Sequence, residues 1–181
     1  VYSAGYSQAS LPEAEKALQD AVKLSPTKQP VYFELAQFYL SIGQLDQAIV
    51  VLQKSWDLDR SFSQPAANLW MVGILAKRSD VVQEVQEKFK LENLGEDNLY
   101  RIALSYQKVG DFPKALEVYQ KLALLSPKSA SYRATLAALY ARNGYKKEAE
   151  TEVKEAVRLD PTYQKEADLF LKMLKQGTLP Q

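Results

Sequence analysis

Gly110 and Gly144 are 34 residues apart, and so are Ala115 and Ala149, Tyr106 and Tyr140, and Pro127 and Pro161. Ala14 and Ala48 stand at the same distance, while Gly43 to Gly110, Ala48 to Ala115 and Tyr39 to Tyr106 are each 67 residues, one unit of 34 and one of 33. Independent residue types returning at one spacing mark a repeat architecture, in which a supersecondary unit stacks on its neighbours. The segments Ser41–Ala48, Lys108–Ala115 and Arg142–Ala149 are copies of one layout, each with glycine third and alanine last.

Each unit holds two helical patterns. Val31, Leu35, Phe38, Tyr39 and Ile42 fall at three- and four-residue steps, as do Leu45, Ala48, Ile49, Leu52, Trp56 and Leu58, so each set shares one helix face. One hairpin cannot bury both stripes, so adjacent hairpins must cover them. Gly43 sits at the break between the helices, where a left-handed backbone suits glycine. Pro12 and Pro113 fit first turns, where a missing N–H costs little. Pro26, Pro127 and Pro161 stop the second helices from running on. Ser10-Leu11-Pro12-Glu13 reads as a capping box. Ala36, Ala103 and Ala137 are expected to face Ala48, Ala115 and Ala149, because paired small residues let two helix axes come close.

Composition narrows the chemistry. Lys+Arg is 23 against Asp+Glu 22, with no lysine- or arginine-rich block, which argues against a nucleic-acid partner. Cysteine and histidine are both absent, which removes disulfides, thiol nucleophiles, the commonest general base and the commonest metal ligand. No catalytic, cofactor-binding or metal-binding residue is assigned, and a non-enzyme is expected. No apolar run reaches the length of about 18 residues that spans a membrane. The N-terminus is unlike a signal peptide and lacks an initiator methionine, which reads as a piece of a longer protein.

These residues resemble the tetratricopeptide-repeat (TPR) family, whose pattern places an aromatic residue early in the first helix, then Leu-Ala/Gly, Tyr, Gly, Ala, an aromatic or aliphatic residue, Ala and Pro. Tyr32, Leu35-Ala36, Tyr39, Gly43, Ala48, Leu52 and Leu58 match one copy. Leu99, Ile102-Ala103, Tyr106, Gly110, Ala115, Tyr119, Leu122 and Pro127 match a second, and Tyr132, Leu136-Ala137, Tyr140, Gly144, Ala149, Val153, Ala156 and Pro161 a third. The resemblance implies an all-α fold, an α-solenoid of antiparallel hairpins wound as a right-handed superhelix with a C-terminal capping helix. The expected organisation is one domain over residues 1–176. It comprises a partial repeat at 1–28, repeats at 29–62, 96–129 and 130–161, a degenerate repeat at 63–95, a cap at 162–176 and a tail at 177–181. In the degenerate repeat one register sets Leu69 in the leucine place, Trp70 in the small-residue place, Lys77 for glycine and Val82 for alanine. Another puts Gly73 at the small position with compensating connections. Either leaves the third hairpin less closely packed. A weaker likeness, carried by Leu24–Gln29, Leu159–Tyr163, Glu166-Ala167-Asp168 and Phe170-Leu171, is to the TPR tails of bacterial O-antigen-ligase-like glycan polymerases. It implies a regulatory or scaffolding role tethered to a membrane through a missing upstream part, without insertion of this stretch itself. The compartment is otherwise open.

The family resemblance implies a protein or peptide partner in a groove lined by first helices. Its inward positions here are Phe33 and Gln37, Asn68 and Met71, Tyr100, Arg101, Leu104 and Lys108, and Arg142. Phe33, Met71, Tyr100 and Leu104 would offer apolar contacts, and Arg101, Asn68 and Gln37 would orient a peptide. The competing reading packs Phe33 and Leu104 between hairpins. A carboxylate clamp of the kind some TPR proteins use is disfavoured, because Phe33, Gln37 and Asp97 stand where it needs Lys, Asn and Lys. RNA recognition by a pentatricopeptide-like array is opposed by the 34-residue period and the near-neutral charge. Trp56 and Trp70 read as core, and the mixed charges of Lys146–Arg158 as a solvated face.

Overall fold

A computed structural model describes residues 10–178; the reading of residues 1–9 as the remnant of a first helix, and of 179–181 as tail, lies outside them. Ten α-helices and no strand occur among the described residues. They fall into two compact units that meet in sequence at Asn93 and Leu94. The first contains α1 (Leu11–Leu24), α2 (Gln29–Ser41), α3 (Leu45–Leu58), α4 (Ser63–Leu75) and α5 (Ser79–Lys88). The second contains α6 (Glu96–Val109), α7 (Phe112–Leu125), α8 (Ala130–Arg142), α9 (Lys146–Leu159) and α10 (Gln164–Gln176). Within each unit the helices pair as antiparallel hairpins (α2 with α3, α4 with α5, α6 with α7, α8 with α9), and each hairpin packs on the next. This is the expected α-solenoid class of stacked hairpins.

The hairpin turns share one hydrogen-bond scheme. The N–H of Gln44 donates to the carbonyl of Tyr39 at 2.8 Å, and Asp111 to Tyr106 and Tyr145 to Tyr140 do the same at 2.9 Å. The residue before each donor is Gly43, Gly110 or Gly144, with φ of 77°, 81° and 84°. A left-handed residue there lets the last carbonyls of the first helix find partners while the chain reverses. Other ends follow the sequence less uniformly. Asp111 and Ser129 accept cap bonds from Lys114 and Tyr132, but the Ser10 side chain does not supply its half of a capping box. Ser10 has a helical backbone, and its side chain accepts no bond from the amides of α1.

In the third hairpin the N–H of Arg78 donates to the carbonyl of Gly73 at 2.8 Å, and Lys77 takes φ 57°. Lys77 therefore stands in the place of Gly43, and the register with Trp70 at the small position is the one that forms. Volume moves rather than disappears. Gly73 falls where the other units have tyrosine, and a Cβ on it would lie 3.0 Å from Cγ2 of Val82 and 3.2 Å from Cγ1 of Val81. The missing ring at residue 73 thus makes room for the valine that replaces alanine at residue 82. At this point the third hairpin is close-packed, contrary to the sequence expectation. Trp70 and Trp56 are core residues, as expected.

A second device ties hairpins to their predecessors. The Tyr39 hydroxyl donates to Glu15 at 2.9 Å and accepts from Gln19 at 3.1 Å, joining α2 to α1. The Tyr140 hydroxyl accepts from Gln120 at 2.9 Å, joining α8 to α7. Gln53 holds the corresponding place on α3, but faces a repeat whose tyrosine is Gly73. It bonds Asp57 at 3.3 Å and Glu84 at 3.5 Å instead. In the second unit Tyr100, Tyr119 and Tyr132 form a ring cluster with centroids 6.1–6.4 Å apart. Tyr132 also donates to Glu96 at 2.9 Å. Burial pushes the Tyr119 phenol up to about 12, helped by its two tyrosine neighbours. Burial first and the Glu96 carboxylate second push Tyr132 up to about 12 as well. The cap packs as expected: Ala167, with Phe170 and Leu171 beside it, joins a cluster with Ala137 and Val153.

Three outcomes follow from this packing. Lys77→Gly should raise stability by about 1 kcal/mol in a urea melt, because the left-handed conformation strains lysine and not glycine. Gly73→Ala and Val82→Ala should be non-additive. The added methyl should be tolerated better by roughly 0.5–3 kcal/mol when Val82 is trimmed, as a double-mutant cycle would read. Folding favours the neutral forms of Tyr119 and Tyr132, so their contribution is complete below the ordinary tyrosine value near 10 and is lost as pH rises from there to about 12. Tyr119→Phe should flatten the fall in melting temperature across that alkaline window.

Candidate functional site

The face of the second unit formed by its first helices is built on α6. Leu99, Ile102, Ala103 and Tyr106 turn inward and are buried, whereas Tyr100 and Leu104, one turn apart, each keep 40% of their surface exposed. Arg101 is half-buried on the same side and Lys108 is exposed one turn further on. Thirty-four residues along, α8 places Thr135, Ala138 and Arg142 at the positions of Arg101, Leu104 and Lys108. No carboxylate among the described residues forms an ion pair with Arg101, Lys108 or Arg142. Arg142 lies over the ring of Phe112 at 4.6 Å, which turns its guanidinium toward the start of α7. Tyr100 is only partly a surface residue, since one side of its ring is held by Tyr119 and Tyr132.

Between α8 and α10 lies a hollow of about 250 Å³, walled by Ala138, Ala141, Leu169, Phe170 and Met173, with Arg142 and Glu166 at its rim. Leu169 is 60% exposed. Sequence periodicity does not point to this hollow, because it gives the capping helix α10 one apolar side made of Tyr163, Ala167, Phe170, Leu171 and Leu174. Leu169 lies off that stripe, and an apolar residue there was the available signal.

The first unit contains the other four groove residues. Gln37 is exposed, Phe33 and Met71 are half-buried, and Asn68 accepts a bond from Gln64 at 3.3 Å. Two hollows lie along its second helices: one of about 540 Å³ between α1 and α3, and one of about 580 Å³ between α3 and α5. Val50, 54% exposed, borders both. Arg60, stacked on Trp56 at 4.4 Å, pairs with Glu84 at 2.9 Å and with Asp57, spanning the hollow between α3 and α5. Such exposed pairs contribute at most about 1 kcal/mol each. Among the described residues no cluster of three or more acidic groups is disposed to hold a metal ion, and no helix is long and apolar enough to cross a membrane.

Two sequence models, both described as the tetratricopeptide repeat, match residues 6–72 and 100–164. Among curated proteins, the chain is 40% identical over 72 residues to the TPR repeat-containing thioredoxin TTL4 of Arabidopsis thaliana, covering 38% of the chain and 10% of that protein. It is 33% identical over 105 residues to the inactive TPR repeat-containing thioredoxin TTL3 of the same plant, covering 56% of the chain and 14% of that protein. The chain thus spans about a tenth to a seventh of the length of these relatives. A crystal structure of MamA aligns with TM-score 0.62 at 22% identity, covering 87% of each chain. YrrB, described as a TPR protein with an unusual peptide-binding site, aligns with TM-score 0.59 at 18% identity, covering 91% of this chain and 86% of its own. Repeat models that between them match most of the sequence, and stacked hairpins with the repeat's turn and alanine positions, agree on one conclusion: the chain belongs to the tetratricopeptide-repeat family.

Proposed function

We propose that this chain is a non-enzymatic protein-interaction module whose first-helix face, in the second unit, captures a peptide or a partner helix. The observation that carries the reading is the exposure of Tyr100 and Leu104 on α6, where the other large apolar residues of the helix except the half-buried Val109 are buried. Apolar side chains held out of the core beside unpaired cations are what a mixed apolar and acidic segment would need. An apolar side chain of the partner would lie on Leu104 and Ala138, with the hollow beside Leu169 and Met173 available to a second. Its carboxylates would meet Arg101 and Lys108. The peptide-binding site of YrrB supports this reading by showing that a related fold can serve it. With no cysteine or histidine in the chain, the thioredoxin chemistry named for the Arabidopsis relatives has no dithiol here to run on.

Peptides selected on the immobilised chain from a random library provide the test. Leu104→Asp combined with Arg101→Glu should weaken the selected peptides at least roughly tenfold by calorimetry, the loss expected for an apolar anchor plus a charge contact. Leu124→Asp, on the exposed side of α7, should leave them unaffected. Both variants should melt like the parent. Retention of full affinity by the α6 variant would remove the proposal. Tyr100 is unsuited to this purpose, because its loss also opens the tyrosine cluster.

A further inference from the structure

Cations recur along the second unit at one place in the repeat. Lys108, Arg142 and Lys175 each precede a left-handed glycine (Gly110, Gly144, Gly177) by two residues. In the first unit the same places hold Ser41 and Leu75. The start of the following helix adds Lys114 in α7, and Lys146 and Lys147 in α9. All of these lie where first helices end and second helices begin, so antiparallel hairpins gather them at one end of the unit. Side-chain contacts confirm the gathering. Arg142 covers Phe112, and the Asn143 amide donates to the Phe112 carbonyl at 3.3 Å, joining the two turns. The Lys154 ammonium and, to a smaller degree, that of Lys175 hold the Glu150 carboxyl below its usual range, which sets the end of α10 beside the start of α9.

Opposing charge at this end is sparse. Asp111 takes Lys114 at 3.7 Å, Glu150 is engaged by Lys154 at 2.6 Å, and Glu148 is exposed among the lysines. The opposite end of the unit carries both signs: Glu96, Asp97, Asp160 and Glu166 together with Lys128, Arg158 and Lys165. Near-neutral composition therefore conceals a unit with one basic end and one of mixed sign. In the middle of the basic end Tyr145 is 52% exposed, its ring fixed edge-on against Tyr140 at 6.2 Å.

We propose that this basic end, with Tyr145 at its centre, docks on the anionic headgroups of a lipid bilayer surface, lying on the membrane without entering it. Cations presented from three successive turns are met together by a broad, flat polyanion, whereas an acidic peptide lying in a groove would meet the side of the helices. An exposed aromatic ring among lysines is the composition of residues that settle at headgroup level. Lys108 belongs to both sets, but the other residues of the basic end are distinct from those of peptide capture on α6, and docking places that face at the side of the bound unit, open to a partner.

Flotation of the 181-residue chain with lipid vesicles tests it. The chain should float with phosphatidylcholine vesicles containing phosphatidylserine and not with phosphatidylcholine alone. The bound fraction should collapse between about 0.1 M and about 0.5 M salt, as the screening length shortens. Lys146→Gln with Lys147→Gln should reduce partitioning roughly tenfold or more, the loss expected for two headgroup-facing lysines. Tyr145→Ala should lower it further at fixed salt. Lys128→Gln with Lys165→Gln, at the other end, should keep partitioning within about twofold of the parent. Circular dichroism of each variant should match the parent, since all the altered residues are exposed. Absence of flotation with anionic vesicles, or equal losses in the two lysine pairs, would overturn the proposal. So would binding of soluble polyglutamate through Lys146 and Lys147 by a chain that ignores vesicles, which would assign the basic end to an acidic protein.

Discussion

Ala48, Ala115 and Ala149 have no exposed surface, nor have Ala66 and Ala103. A methyl group buried so completely on a helix means that a neighbouring backbone has come as close as a side chain allows, and this approach is what makes a two-helix unit of about 34 residues a stackable object. Once the alanines set the spacing, the larger residues have no freedom in where to go. Leu52, Leu69, Leu99 and Leu122 fill the space left between helices, and all are buried to 1% exposure or less. The left-handed glycines follow from the same condition, because helices so close can be joined only by a turn of two or three residues. Stability in such an array is held between neighbours, each interface covering a stripe that a lone hairpin would expose to water.

The third hairpin shows that this constraint acts on volume and not on residue type. Trp70 stands at an alanine place and Gly73 at a tyrosine place, and Val82 takes the room that the missing ring leaves. The exchange has a polar consequence one helix away. Gln19 and Gln120 each donate to a tyrosine hydroxyl of the following hairpin, but Gln53 has no such hydroxyl to meet and turns to Asp57 and Glu84. The ion pairs of Arg60 and the hollow between α3 and α5 occupy the region where Gln53 is diverted. A core substitution has thereby changed the chemistry of the outer surface, a route by which a repeat can acquire a local feature while keeping its fold.

The period made the fold legible, because each repeat restates the same steric requirement in different residues, and Ala149 or Gly144 can be placed from Ala115 or Gly110 by counting. Counting was insufficient in the third hairpin. With glycine, alanine and tyrosine all displaced, two registers satisfied the pattern, and only the backbone at Lys77 separates them. The surface was less legible for a related reason. Periodicity identifies which residues face inward, but it treats every other residue as solvated and so passes over apolar residues that lie off the stripe, such as Val50 and Leu169. Tyr100 shows the intermediate case: part of its surface is exposed, yet the rest of its environment is the cluster with Tyr119 and Tyr132, which lie 19 and 32 residues away along the chain.

Charge adds a property that neither composition nor a single repeat reveals. A net charge of +1 says only that the signs balance over the chain, while antiparallel pairing decides where they balance. Residues two positions before a turn glycine are far apart in sequence, yet the fold delivers all of them to the same end of the unit. A cation recurring there accumulates from hairpin to hairpin without any basic run in the sequence. The Schellman-type bonds at Gly110, Gly144 and Gly177 occupy the last carbonyls of the first helices, so Lys108, Arg142 and Lys175 are not needed to cap them. Arg142 has gone to Phe112, and the remainder keep their charge in water, where a periodic row of like charge is held apart by the repeat itself. A stacked-hairpin array can in this way present one set of positions on its helix faces to a partner and another at its turns to a second surface, because the two sets, which share only a boundary residue such as Lys108, are centred on different parts of the same 34-residue unit.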